Sequence, residues 1–255
     1  MFRINSKLKT FPILPMPSTD DTPDSLPRRS FLRIAGLTGA GWIVGTAGLT
    51  LAESVAGKLF MPVNDRLDAL LLNPQKLIPE FPVSAIEPAA LIENTFRFVP
   101  QIDPATFRLT VDGAVNKPLS LDLTTLQQMP LTSMVIRHVC VEGWAAIVQW
   151  GGIRLSDLIA IAQPKADVRY VYFQSADGYY ESWDLASVLH PQTMLASQMN
   201  GVPLPAKNGA PLRLASPLKL GYKLSKWVTG ITLVSELSQQ RGYWEDLGYE
   251  WFAGL

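Results

Sequence analysis

"VIRHVCVEGWAAIVQWGG", residues 135–152, holds Cys140, the only cysteine of a 255-residue chain. The run leading to it alternates. On a strand, Met134, Ile136, His138 and Cys140 face one side, and Val135, Arg137, Val139 and Val141 the other. Beyond Gly151-Gly152, "LSDLIAIAQP" reads as a short amphipathic helix stopped by Pro164. The same texture extends outward. "FRLTVDGAV" alternates and carries an Asp112-Gly113 turn. "LSLDLTTLQQMP" has helix-start residues at 122–125 and a stop at Pro130. "VRYVYFQS" and "YYESWDL" flank Asp177-Gly178, a strong hairpin signal, and Asn200-Gly201 offers another turn. "APLRLASP" and "KWVTGITLV" supply late strands. Short strands, few helices and Gly-containing turns predict an α+β fold dominated by antiparallel or mixed sheet. There is no βαβ rhythm, and Gly151-Gly152 lacks dinucleotide-loop spacing.

The chain divides into three parts. Residues 57–93 contain Pro62, Pro74, Pro79, Pro82 and Pro88 and read as an extended lead-in to a domain over residues 94–255. Residues 1–56 read as a leader. Arg28-Arg29 precede Ser30, Phe31 and Leu32, and an uncharged run from Ile34 to Ala52 is diluted by five glycines. This pattern resembles a twin-arginine export signal, which implies a periplasmic protein exported already folded. The glycines make the run a poor membrane anchor, although an uncleaved leader would act as a tether. Basic and acidic residues number 22 each, so no charge excess supports nucleic-acid binding.

Counting narrows the chemistry of Cys140. One thiolate cannot hold an iron–sulfur cluster or a structural zinc, and no haem-attachment motif is present. A blue-copper set of Cys140, His138, His190 and Met194 has the right residue types, but His138 precedes the cysteine instead of following it. A Cys140/His138 nucleophile pair is formally available, but i and i+2 residues stand side by side on a strand. Taken alone, Cys140 is best read as a buried inert thiol. A single thiol in an oxidising compartment is a liability unless buried or ligated.

The longer motifs change that weighting. "RHVCVEGWAAIVQWGGIRLSDLI" and "HPQTMLASQMNGVPLPAKNGAPLRLASPLKLGYKLSKWV" together resemble the sulfite oxidase family of molybdopterin enzymes. They are most similar to its bacterial exported branch of methionine-sulfoxide reductase catalytic subunits. The resemblance spans roughly residues 94–234. It implies a β-rich, mixed-sheet sulfite-oxidase-type fold. It also implies one molybdenum-molybdopterin per chain, with Cys140 as thiolate ligand to the metal and catalytic residue. A soft thiolate suits such a metal. For the pterin and its phosphate the resemblance implies contacts from Asn94, Arg97, Phe98, Ser175, Asn208, Arg213, Leu224, Ser225 and Lys226. Read without the resemblance, Arg213, five residues after Asn208 in "KNGAPLRL", is a candidate fork onto a phosphate. Asn208 before Gly209 is equally an ordinary turn residue.

The chain departs from the family pattern in places. Ser175 replaces a threonine, and Leu224 stands where the sulfoxide reductases commonly have glycine. The loop at Arg97 and Phe98 is one residue shorter. The arginine-rich run expected after the cysteine of a sulfite-binding enzyme is replaced by Glu142-Gly143-Trp144. Arg137 falls on the strand face opposite Cys140. An anion calls for cationic or helix-terminal donors, so a neutral S-oxide or N-oxide fits better than sulfite. The reading is an exported oxygen-atom-transfer enzyme acting on a small or protein-bound S-oxide or N-oxide. It would be a monomeric catalytic subunit fed by a membrane or soluble cytochrome. The alternatives are a sulfite-oxidising enzyme of the same family and a non-catalytic, electron-transferring metalloprotein. The aromatic tail "GYWEDLGYEWFAGL" reads first as a core cap, and second as a cover for the pocket or a partner dock.

Overall fold

A computed structural model describes Asn73 and residues 76–255; the leader and the rest of residues 57–75 lie outside the described residues. Ten strands form two five-stranded sheets. The first contains β1 (Leu109–Gly113), β2 (Leu119–Leu121), β5 (Tyr170–Ser175), β6 (Tyr180–Asp184) and β10 (Val228–Val234), in the order β2-β1-β10-β5-β6. The second runs β3 (Thr132–Val139), β4 (Ala145–Arg154), β7 (Met194–Met199), β8 (Val202–Pro203), with β9 (Arg213–Ala215) also on β7. Among the described strands all pairings are antiparallel except β1 with β10, so the first sheet is mixed and the second antiparallel, in line with the antiparallel or mixed sheet that the sequence predicts.

Local chemistry accounts for most of these elements. Asp122 caps α1 (Leu123–Gln127) by accepting from the Thr125 N–H at 2.8 Å. α2 (Leu155–Ala162) ends at Gln163, which takes a left-handed conformation before Pro164. It buries Leu155, Leu158 and Ile159, each worth about 1.5–3 kcal/mol of apolar transfer. β5 and β6 turn at Asp177-Gly178, and β7 and β8 at Asn200-Gly201. Asp112-Gly113 is not a hairpin turn: both residues lie in β1, paired in parallel with Thr232 and Leu233 of β10. Gly151-Gly152 sits inside β4, at a register shift against β7. A Cβ on Gly152 would lie 2.0 Å from the Leu195 carbonyl oxygen, so the pair allows close strand approach.

The larger apolar cluster joins β1, β5 and β10 to α2 and to Ile153, Leu195 and Leu214 of the second sheet. The smaller one gathers Met134, Ile136, Ala146, Val148 and Trp150, with Ala90 and Leu91 packed against it. The described lead-in residues lie along β3 and β4: the Phe81 N–H donates to the Val135 carbonyl and the Glu87 N–H to the Ile147 carbonyl, both at 2.9 Å. Two short helices complete the framework, α3 (Leu185–Val188) and α4 (Tyr243–Asp246). α4 is pinned by a buried ion cluster. Lys223 Nζ lies 2.5 Å from Glu181 on β6 and 2.5 Å from Glu245 on α4, and all three side chains are excluded from water.

Candidate active site

β3 ends at Val139, and Cys140 opens the turn into β4. Its N–H donates to the Trp144 carbonyl at 2.9 Å, and its carbonyl accepts from Gly143 at 3.1 Å. The thiol is therefore lifted out of the alternating strand face and left half-buried. It lines a cavity of about 380 Å³. Met134, Ile136 and His138 keep the buried face that the alternation predicts, and Arg137 points outward, stacked on Phe81 at 5.2 Å.

Glu142 organises the surroundings of the thiol. One of its oxygens, Oε2, accepts from Asn94 Nδ2 at 2.7 Å and Trp144 Nε1 at 3.0 Å, and stands 3.6 Å from Cys140 Sγ. These donors hold its carboxyl below the usual range, whereas burial, with Glu142 beside it, pushes the Cys140 thiol up. His138 also lines the cavity, stacked on Trp144 with ring centres 5.6 Å apart. Its pKa falls to about 3, first through burial and then through Arg213 and Lys226, so the ring is neutral.

Two cations face the same cavity. Arg213 is 5% exposed; it donates to the Asn208 carbonyl at 3.0 Å and the Leu214 carbonyl at 3.2 Å, and covers Trp150 at 4.5 Å. Lys226 donates to the carbonyls of Asn94 and, at 2.9 Å, Lys207. Neither makes a salt bridge to a carboxylate among the described residues. Burial lowers Arg213 to about 9 and Lys226 to about 8. The turn at Gly209 (φ +112°) brings them together: a Cβ there would sit 3.0 Å from the Cβ atoms of both Arg213 and Lys226. We expect Gly209→Ala to cost about 1–3 kcal/mol in backbone strain and crowding. The checks are a fall in melting temperature and a lower pterin content of the purified protein.

Of the residues singled out in the sequence, the cavity brings together Cys140, Asn94, Asn208, Arg213, Leu224, Ser225 and Lys226. Leu224 contributes from the backbone side, because its side chain belongs to the larger core cluster. Arg97, Phe98 and Ser175 do not line the cavity. Arg97 lies over the Phe96 ring at 4.8 Å, and Phe98 is 54% exposed. Phe96 lines the wall instead, packed on Tyr179 and Tyr243. Ser175 is buried at the β5 end, where its backbone closes the hairpin with Tyr179 and Gly178.

In the sequence, Asp177 reads only as half of a turn. It is 3% exposed, lines the cavity, and accepts from the Tyr179 N–H at 3.0 Å. An Asp-Gly pair carries no signal separating a turn former from a site carboxylate. The copper set is not assembled. His190 accepts from the Gln192 N–H and contacts the Lys76 carbonyl, away from the cavity lining, and Met194 is buried in the smaller core cluster. The Cys140/His138 pair is not formed either, since the polar contact of the thiol is Glu142.

A half-buried thiol with one buried and one half-buried cation, neither paired to a carboxylate among the described residues, around one cavity makes a site suited to a metal-bearing anionic cofactor. The oxidoreductase molybdopterin binding domain matches residues 96–244, and the chain belongs to that family. A chain from Azospira oryzae that bears the name protein-methionine-sulfoxide reductase subunit YedZ1 is 38% identical over 238 residues, covering 89% of this chain and 87% of that one. The protein-methionine-sulfoxide reductase catalytic subunit MsrP of Burkholderia mallei is 31% identical, covering 86% and 73%. The sulfane dehydrogenase SoxCD of Paracoccus pantotrophus shares the fold, with a TM-score of 0.53 at 23% identity over 65% of this chain and 51% of that one. The expected sulfite-oxidase-type fold is thus present.

The residues fit a molybdopterin. Arg213, buried, and Lys226, half-buried, would supply the positive charge that a terminal phosphate neutralises. The buried Ser225 Oγ, which has no hydrogen-bond partner among the described residues, belongs to a residue of the same cavity lining. Cys140 supplies the soft thiolate, and metal binding would remove its proton despite the raised pKa.

Proposed function

We propose that this chain is the catalytic subunit of an exported molybdenum-molybdopterin reductase of S-oxides, with methionine sulfoxide in polypeptides as the substrate class. The observation that carries this reading is Glu142. A carboxylate, not a cation, stands beside Cys140, held there by Asn94 and Trp144. It disfavours approach of an anion such as sulfite and tolerates a neutral sulfoxide. The names of the two relatives support the same substrate.

Reduction of a sulfoxide consumes two electrons and two protons and yields a thioether and water. Molybdenum held by the pterin supplies the two-electron oxygen-atom chemistry when bound. The protein's own tasks are positioning and exclusion. Asn208, Arg213, Ser225 and Lys226 would hold the pterin phosphate, and Cys140 the metal. Trp144 and Phe96 wall the cavity and limit water. Electrons come from an external donor, for which a membrane or soluble cytochrome is the natural class. The Arg28-Arg29 leader supports export to the periplasm by the twin-arginine route, with one cofactor per chain in a monomeric catalytic subunit.

The test combines metal and pterin analysis with turnover. The purified protein should contain one molybdenum and one pterin per chain. It should oxidise reduced benzyl viologen when given methionine sulfoxide in a peptide. Loaded protein that oxidises sulfite and ignores every sulfoxide would refute the reading.

A further inference from the structure

The cavity has two unlike ends. The buried end carries Arg213 and Ser225, at 5% and 1% exposure. The open end carries exposed apolar groups: Ile92, Val141 and Tyr249 line it while remaining 51%, 46% and 40% exposed, with the half-buried Trp244 also in the lining and Asn94, Thr95 and Glu142 as its exposed polar residues. Large apolar groups left in water at the mouth of a cavity mark a binding surface.

This rim is preformed. Trp244 and Tyr249 pack with tilted rings 5.0 Å apart between centres, and the Tyr249 N–H donates to the Trp244 carbonyl at 3.0 Å. Glu245, the next residue, is locked by Lys223. Further along, Trp251 and Phe252 are buried. The aromatic tail thus caps the core at one end and faces the cavity at the other. A rigid wall pays little ordering cost when a ligand arrives.

Charge restricts the ligand. Free methionine sulfoxide carries a carboxylate that needs a cation. Arg213 and Lys226 are committed to the cofactor phosphate in the reading above, and Lys207 pairs with Glu93 at 3.6 Å. The charge beside the thiol is Glu142, which repels a carboxylate. A residue inside a polypeptide presents neither charged terminus.

We propose that Trp244 and Tyr249 are specificity-determining residues. With Ile92 and Val141 they take the apolar side chains that flank a methionine sulfoxide in a polypeptide. The protein therefore prefers oxidised methionines in apolar stretches over free methionine sulfoxide. This rests on the S-oxide reading above.

Two peptides test it, one with leucine and one with glycine on both sides of methionine sulfoxide, alongside the free amino acid. With the loaded enzyme and reduced benzyl viologen, kcat/KM for the leucine peptide should exceed that for the glycine peptide by about tenfold, with free methionine sulfoxide lowest. The double change Trp244→Ala, Tyr249→Ala should bring the two peptides close to parity, acting through KM for the leucine peptide. Calorimetric titration with a non-reducible, leucine-flanked methionine-sulfone peptide should show Kd rising about tenfold in the same variant. No flank preference in the wild type, or a proportional loss on both peptides in the variant, overturns the proposal. A wild type inactive on every sulfoxide overturns the functional reading instead, and flank-dependent sulfone binding would then show the rim's selectivity on its own.

Discussion

Replacing Cys140 by serine should lower sulfoxide turnover by more than about 100-fold, the upper range seen when only a supporting residue of a metal site is lost. The protein should still fold. Cys140 is half-buried in a turn whose backbone hydrogen bonds do not involve the thiol, and serine is close to isosteric. Pterin should remain, because its proposed phosphate contacts lie on Asn208, Arg213, Ser225 and Lys226. Metal content and turnover are the measured quantities, with bound pterin as the control. Full turnover with molybdenum retained would refute the ligand role. Loss of pterin together with metal would mean that the thiolate anchors the whole cofactor.

The second large effect concerns stability. Lys223→Met should destabilise the fold by about 3–5 kcal/mol, the usual cost of removing one partner from a buried ion cluster. For a domain of this size that is a fall in melting temperature of about 6–20 °C. Two carboxylates, on Glu181 and Glu245, share one ammonium in a dry site, and burial already pushes the Glu181 carboxyl well up. Without Lys223 both must be kept neutral or remain unpaired. A triple variant, Lys223→Met with Glu181→Gln and Glu245→Gln, should regain much of the loss. Thermal unfolding of both variants checks this. A single variant as stable as the wild type would show that the cluster contributes nothing net.

The strands, both short helices of residues 123–162 and two hairpins were legible because local chemistry dictates them. The alternation in "TSMVIRHV", the Asp122 cap, the Pro164 stop and the turns at Asp177-Gly178 and Asn200-Gly201 act over a few residues. Asp112-Gly113 misled because its conformation serves a parallel pairing with β10, about 120 residues away in sequence, which no local pattern reports. The site divides along the same line. Cys140 and the "NGAPLR" and "LSK" residues lie in compact motifs. Glu142 was legible beside Cys140, and its grip by Asn94, 48 residues earlier, was not; Phe96 becomes a site residue only through long-range closure, by packing on α4.

The unpaired cations have a thermodynamic consequence. Arg213 is buried and Lys226 half-buried, and desolvation disfavours the charge of both, a cost that a bound phosphate would offset. A ligand that binds only the folded chain adds about 4 kcal/mol when present at 1,000 times its Kd. Cofactor loading and chain folding are therefore linked equilibria. A phosphate-bearing group bound in this cavity would resist unfolding of the chain with the same free energy that retains it.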